Sequence, residues 1–348
     1  RKERTPIINL TPSALFATSG TMTMARRTQV DPQATAYYHC MTRCVRRAFL
    51  CGDDKVSGKC FDHRKDWVVE QLRLLASAFC IDVCAYAVMS NHVHLVLRVD
   101  ADRAEGLSDE EVVARYKVLF AHSVSELKNC PAGVAKKRMM LFRQRLSDLS
   151  WFMRCLNEHI ARRANREDGC TGRFWEGRFK SQALLDEAAV LTCMSYVDLN
   201  PVRAGLCTTL EDSDFTSIQQ RLREAARRQA GTATKTKAAP EPRGPRLLPF
   251  ASRGVPEHAR LPMHLEDYVA LVTFTGQALR FRPPPRLCSR ASASRPSTGL
   301  RRCATFTAAS SPWRATSTAS SSSASARASL RPRAPPSPVA SFPARPEW

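Results

Sequence analysis

Residues Ile81–Val99 read IDVCAYAVMSNHVHLVLRV. Two apolar runs flank Ser90-Asn91, a turn-forming pair, so the stretch predicts two neighbouring strands. Within the second run, His92 and His94 stand one residue apart. Side chains alternate across a strand, so both project from one face, with Cβ atoms roughly 6–7 Å apart. That separation suits two imidazoles converging on one cation. Two hydrogen-bonded structural histidines would show the same pattern, and the rest of the chain has to separate the two readings.

Outward from this hairpin the pattern alternates. Tyr37–Val45 (YYHCMTRCV) predicts a strand and Lys65–Phe79 a helix, with Val68, Leu72, Leu75 and Phe79 on one stripe. Trp151–Glu167 predicts a helix with Met153, Leu156, Ile160 and Ala164 inward and Arg154, Arg162, Arg163 and Arg166 on its other faces. Gly177–Leu185 predicts a short strand. DEAAVLTCMSYVDLNP predicts a helix capped by Asp186 and stopped before Pro201. The order strand, helix, strand, strand, helix, strand, helix predicts an α+β fold, a ferredoxin-like antiparallel sheet with helices on one face.

The 348 residues carry a formal charge of +21, which favours polyanionic partners. Eleven Arg and one acid in residues 281–348 give +10, residues 1–30 give +4, and +7 is left for residues 31–280. The expected organisation is a disordered leader over 1–30, with possible starts at Met22 or Met24, and a main domain over 31–220. An insertion at about 101–148, with a helix near Glu110–Phe120, interrupts that domain. A linker over 221–260 and a short docking helix over 261–280 follow. The Ser/Ala/Arg/Pro-rich tail, 281–348, predicts disorder. It reads either as a basic arm for DNA or, preferably, as the product of a shifted reading frame.

No apolar run approaches the roughly 20 residues that span a bilayer. Thirteen cysteines, an odd number and none in a CxxC pair, predict reduced thiols in a cytoplasmic protein rather than a zinc ribbon.

The helix ending CMSYVDLNP bears on the histidine question. Tyr196 and Asn200 are four apart and share a helix face, while Val190, Met194 and Val197 form a separate stripe for the core. Tyr196 at the rim of the core and Asn200 as a helix-end cap are the plainer readings. Facing two imidazoles, however, the amide would be a third neutral ligand for a divalent ion, leaving positions for phosphate oxygens, with the phenol as nucleophile.

MSNHVHLVLRV resembles the His-hydrophobe-His motif of the HUH single-strand endonucleases. GRFWEGRFKSQALL followed by MSYVDLNPVRAGL resembles the REP-associated branch of the single-tyrosine transposases. The resemblance runs from about Tyr37 to Cys207, with the elements in matching order. It implies the HUH endonuclease fold, Tyr196 as catalytic residue, and His92, His94 and Asn200 as ligands of Mg²⁺ or Mn²⁺. It also implies a transposase that cleaves and rejoins hairpin-forming single-stranded DNA through a 5′-phosphotyrosine, as a monomer or homodimer. A non-catalytic nucleic-acid-binding protein and a decayed transposase copy are the alternatives.

Candidate DNA contacts lie around these motifs. Arg173, Arg178 and Lys180 are expected at phosphates, with Trp175 and Phe174 stacking on unpaired bases; a loop with buried aromatics and solvated arginines is an equal reading for Phe174 and Phe179. Arg43, Arg46 and Arg47 are expected against a hairpin backbone. His39, in the first strand, either flanks the site or belongs to the core, and the core is preferred.

Overall fold

The structure, a computed structural model, describes residues 34–45, 50–53, 58–231 and 244–280. The expected leader and tail, and the candidate contacts Arg46 and Arg47, lie outside the described residues.

Four strands form one antiparallel sheet in the order β2-β3-β1-β4. They are β1 (Tyr37–Arg43), β2 (Ile81–Val88), β3 (His92–Val99) and β4 (Lys180–Leu184). Helix α1 (His63–Ala78) joins β1 to β2, so β3 is laid between two strands that were already in place in the sequence. After β3 come α2 (Ala101–Glu105), α3 (Asp109–Ser125), α4 (Ala132–Leu146) and α5 (Leu149–Glu167). β4 leads into α6 (Glu187–Asp198), the one-turn α7 (Asn200–Arg203), α8 (Ser217–Gly231) and α9 (Leu265–Arg280).

The expected antiparallel sheet is present, but the helices do not lie on one face. Tyr38, Cys40, Val83, Val93, Leu95 and Leu97 pack against Leu72 and Leu75 of α1 and Met153, Leu156 and Ile160 of α5. Across the sheet, Ala85, Ala87, Val96 and Leu184 pack against Val190, Met194 and Val197 of α6, Ile218 of α8, and Tyr268 and Val272 of α9. The reason is composition. β2 is apolar on both sides and has to be covered twice, while β3 turns Val93, Leu95 and Leu97 to one helix layer and His92, His94 and Val96 to the other.

Residues 101–148 are helical, and α3 opens with a capping box. Ser108 accepts from the Glu111 N–H while the Glu111 carboxylate accepts from the Ser108 N–H. Tyr116, Phe142, Val112 and Leu146 give this segment a small core of its own.

The expected linker over 221–260 departs from its reading most. Residues 221–231 belong to α8, and Leu247–Leu248 run along the outer edge of β2, where the Leu248 N–H donates to Val83 O at 2.8 Å. Leu248 and Phe250 are buried. The segment therefore closes a sheet edge that would otherwise present unpaired backbone groups. Helix α9 packs on α6 and α7 through Tyr268 and Val272, and it comes close at Gly276, where a Cβ would stand 3.1 Å from Leu199 Cδ2.

All the cysteines among the described residues are free. Burial pushes the thiols of Cys51, Cys84 and Cys193 up to about 12, which keeps them protonated and unreactive. Among the described residues no helix is long and apolar enough to cross a membrane.

Candidate active site

The register between β1 and β3 builds the floor of the site. Arg43 lies opposite His92, Met41 opposite His94, and His39 opposite Val96. His39, His92 and His94 thus share the sheet face that α6 covers. The His92 and His94 rings are 4.7 Å apart and nearly perpendicular. Tyr196 comes down from α6 edge-on to the His94 ring at 5.7 Å and to the His39 ring at 6.2 Å.

Tyr196 is in this position because α6 is fixed at both ends. Asp186 caps its N-terminus, accepting from the Ala189 N–H at 2.7 Å. At the other end Asp198 is fully buried and accepts from Ser217 Oγ, the Ile218 N–H and the Tyr268 hydroxyl, the last at 2.6 Å. One carboxylate thereby ties α6 to the first turn of α8 and to α9.

The helix does not run to Asn200 as expected. α6 ends at Asp198, and Pro201 sits in the first turn of α7, where a missing N–H removes no hydrogen bond. Because Leu199, between them, keeps helical dihedrals (φ −86°, ψ −1°), Tyr196, Asn200 and Arg203 still follow one another along one face. The Arg203 guanidinium lies over the Tyr196 ring at 4.7 Å. The Asn200 Nδ2 is buried without a hydrogen-bond partner among the described residues.

The imidazoles are uncharged at neutral pH. Burial, and then the Arg43 charge, push His92 down to about 4. Burial alone takes His39 to about 4. His94 lies well below the ordinary value through burial, its two histidine neighbours, Arg43 and Arg203. Neutral imidazole is the form that coordinates metals. Each Nδ1 of the pair is also engaged, His92 with Asn91 Oδ1 at 2.5 Å and His94 with His39 Nε2 at 3.0 Å.

Among the described residues no cluster of three or more His, Cys, Asp or Glu is arranged to hold a metal ion. The donor set that the resemblance implies is instead two neutral imidazoles and the amide oxygen of Asn200, one helical turn beyond Tyr196. That set fits a divalent ion whose remaining positions go to water or phosphate.

The other expected contacts are spread along the rim. Arg43 is exposed at the end of β1, Arg173 and Arg178 are exposed on the segment leading to β4, and Lys180 is exposed at its first position. Arg173 and Arg178, with Arg154 of α5, border a groove of about 850 Å³. Trp175 and Phe174, expected to stack on unpaired bases, do not present their rings to solvent. Trp175 is 8% exposed and donates its indole N–H to Asn157 O at 2.8 Å, and Phe174 is 2% exposed. Backbone bonds strap this loop to the end of β1, from the Val45 N–H to Phe174 O and from the Glu176 N–H to Arg43 O, so its aromatics join the α1–α5 core.

His39 is fully buried, in line with the core assignment, and it also flanks the site, with Nε2 3.0 Å from His94 Nδ1. Arg203 is the site residue that the sequence reading did not name. Arg203 carries a usable signal, seven residues beyond Tyr196, that Pro201 obscured.

No protein-family model matches the chain, and no curated protein matches it. Among solved structures the chain is similar to a REP-associated tyrosine transposase bound to a REP hairpin. The identity is 14%, over 65% of this chain and 99% of that one, with a TM-score of 0.36. At that score the likeness carries no argument for this chain.

Proposed function

We propose that the chain is a divalent-metal-dependent transposase that nicks and rejoins hairpin-bearing single-stranded DNA, with Tyr196 as nucleophile. The observation that carries this reading is the convergence of Tyr196 with His92 and His94, from a helix and a strand a hundred residues apart, on one face of the sheet. A binding module needs none of these three residues in contact. The motif resemblance around His92 and Tyr196 supports the same reading.

His92, His94 and Asn200 would hold Mg²⁺ or Mn²⁺, which when bound polarises the scissile phosphate and offsets charge on its non-bridging oxygens. The phenol oxygen of Tyr196 attacks phosphorus in line and the 3′-oxygen departs, leaving a 5′-phosphotyrosine that conserves the phosphate bond for rejoining. Arg203 orients the phenol and places a positive charge beside it. The site carries no carboxylate among these groups, so the phosphate itself supplies the negative charge that a divalent ion requires. Arg43, Arg173, Arg178 and Lys180 guide the strand through its phosphates.

The test incubates the protein with hairpin-containing single strands from the DNA flanking its gene, with and without Mn²⁺. A covalent adduct that survives a denaturing gel, requires Mn²⁺ and disappears in Tyr196→Phe is the expected result. Folded protein that binds these strands but forms no adduct would reduce the reading to nucleic-acid binding alone.

A further inference from the structure

His39 and Asn91 take no part in the chemistry proposed above, yet each engages the Nδ1 of one paired histidine. We propose that His39 and Asn91 are positioning residues that hold His94 and His92 as Nδ1–H tautomers, leaving both Nε2 lone pairs bare for a shared divalent ion. The inference rests on the reading of His92 and His94 as ligands and adds what prepares them for that role.

The argument for His92 is one of hydrogen-bond inventory. An amide oxygen only accepts, so a ring nitrogen that meets Asn91 Oδ1 at 2.5 Å carries the proton. A neutral imidazole holds one proton, and Nε2 is then unprotonated. Asn91 belongs to the turn between β2 and β3, and its own carbonyl accepts from the Cys44 N–H at 3.0 Å, which fixes the backbone from which the amide reaches.

For His94 the bond to His39 Nε2, at 3.0 Å, contains a single proton shared between two imidazoles. If His39 donated, His94 would carry its proton on Nε2 and could not coordinate. If His94 donates, His39 is the acceptor, its own proton falls on the buried Nδ1 at some cost, and His94 Nε2 is free. The sequence gives a reason for the second arrangement. Position 39 is fully buried in a strand whose neighbours Tyr38 and Cys40 are also buried, a place where Val or Leu would pack at no polar expense. An imidazole is costly to bury there, and its Nε2 meets one member of the pair, a contact that serves the site if it prepares a ligand. Outer partners of this kind orient metal-binding histidines generally. Here both are uncharged, an amide oxygen and an imidazole, in place of the more usual carboxylate.

The experiment uses the full chain labelled with ¹⁵N in its histidine rings, with long-range ¹H–¹⁵N spectra recorded at pH 7.5 without metal. His92 and His94 are expected as Nδ1–H tautomers, and His94 is expected to lose that preference in His39→Phe. His39→Gln, whose amide oxygen can accept the same proton, is expected to restore it. Asn91→Ala, in a turn rather than the core, is expected to release His92 in the same way. Mn²⁺ titrations followed by electron paramagnetic resonance accompany each variant, in the presence of a hairpin strand. Affinity is expected to fall about 10- to 100-fold in His39→Phe and Asn91→Ala, and to recover in His39→Gln. Wild-type His94 found as the Nε2–H tautomer overturns the proposal. So does a folded His39→Phe protein with unchanged Mn²⁺ affinity. Wild-type protein that binds no Mn²⁺ with or without the strand overturns the ligand reading itself, an outcome distinct from a failure of His39 to act on it.

Discussion

At the scale of single residues, the site is defined by imidazoles that are kept neutral. In the unfolded chain each would titrate near 6.5, whereas in the folded chain His39 and His92 take a proton only near 4. The unfolded state therefore binds more protons between those values. The stability linked to these groups is fully present above about 6.5 and is lost as pH falls towards 4. Urea midpoints measured from pH 7.5 down to 4 should be level at first and then decline. The decline should be shallower in a His39→Phe, His92→Gln double variant than in the wild type, because two of the titrating groups are gone. An equal slope in both would show that carboxylates, not these histidines, set the acid limit.

At the scale of elements, two buried charges hold helices in place. Arg64, at the start of α1, is completely buried and meets Glu167 Oε2 at 2.6 Å and Asp168 Oδ1 at the end of α5. The two helices that cover one face of the sheet are thereby joined end to end. Arg64→Ala would leave two carboxylates facing each other in a partly solvated pocket. The loss should fall at the low end of the range for broken buried pairs, about 3 kcal/mol by chemical denaturation. Glu167→Gln should cost less, since Asp168 remains. On the opposite face, Asp198→Ala would strand the Ile218 N–H and two hydroxyls at once, with about 3 kcal/mol or more lost. Because α9 depends on Asp198 through Tyr268, hydrogen exchange in α9 should rise before that in β1 or β3. Burial raises the Asp198 pKa while its three hydrogen bonds lower it. The carboxylate is therefore held at some cost, which suits a group retained to fix the position of α6.

At the scale of the whole molecule, the predicted activity depends on charge laid out along one rim. Arg43 adjoins His92, and Arg173 and Arg178 border the groove beside α5. If these residues contact phosphates, replacing Arg173 and Arg178 with Ala should weaken binding to all hairpin strands alike. The slope of log affinity against log salt should fall by roughly 1.4–1.8, at about 0.7–0.9 per lost phosphate contact. An unchanged slope would move the DNA path away from the groove. The fold of the Tyr196 variant should be unaffected, since Tyr196 lies at the surface of its core cluster rather than within it.

Periodicity alone determined much of this protein. The four strands, the three main helices, the inward stripes of α1, α5 and α6, and the Asp186 cap could be read from the spacing of apolar and capping residues, because these depend on neighbours within a few positions. The pairing of His92 with His94 was legible for the same reason, being a property of one strand. What the tertiary structure decided was whatever needed register or cover. The antiparallel register of β1 on β3 set His39 beside His94, and no local pattern encodes which residues of distant strands face each other. Two-sided burial placed helices on both faces of the sheet, although the nearly unbroken apolar run of β2 carries that signal. The strapping of the Phe174–Glu176 loop to β1 turned Trp175 inward, because backbone hydrogen bonds, not side-chain preference, chose its orientation. The approach of Tyr196 to the histidines was likewise decided in three dimensions, by one buried carboxylate, Asp198, that fastens three helices behind it.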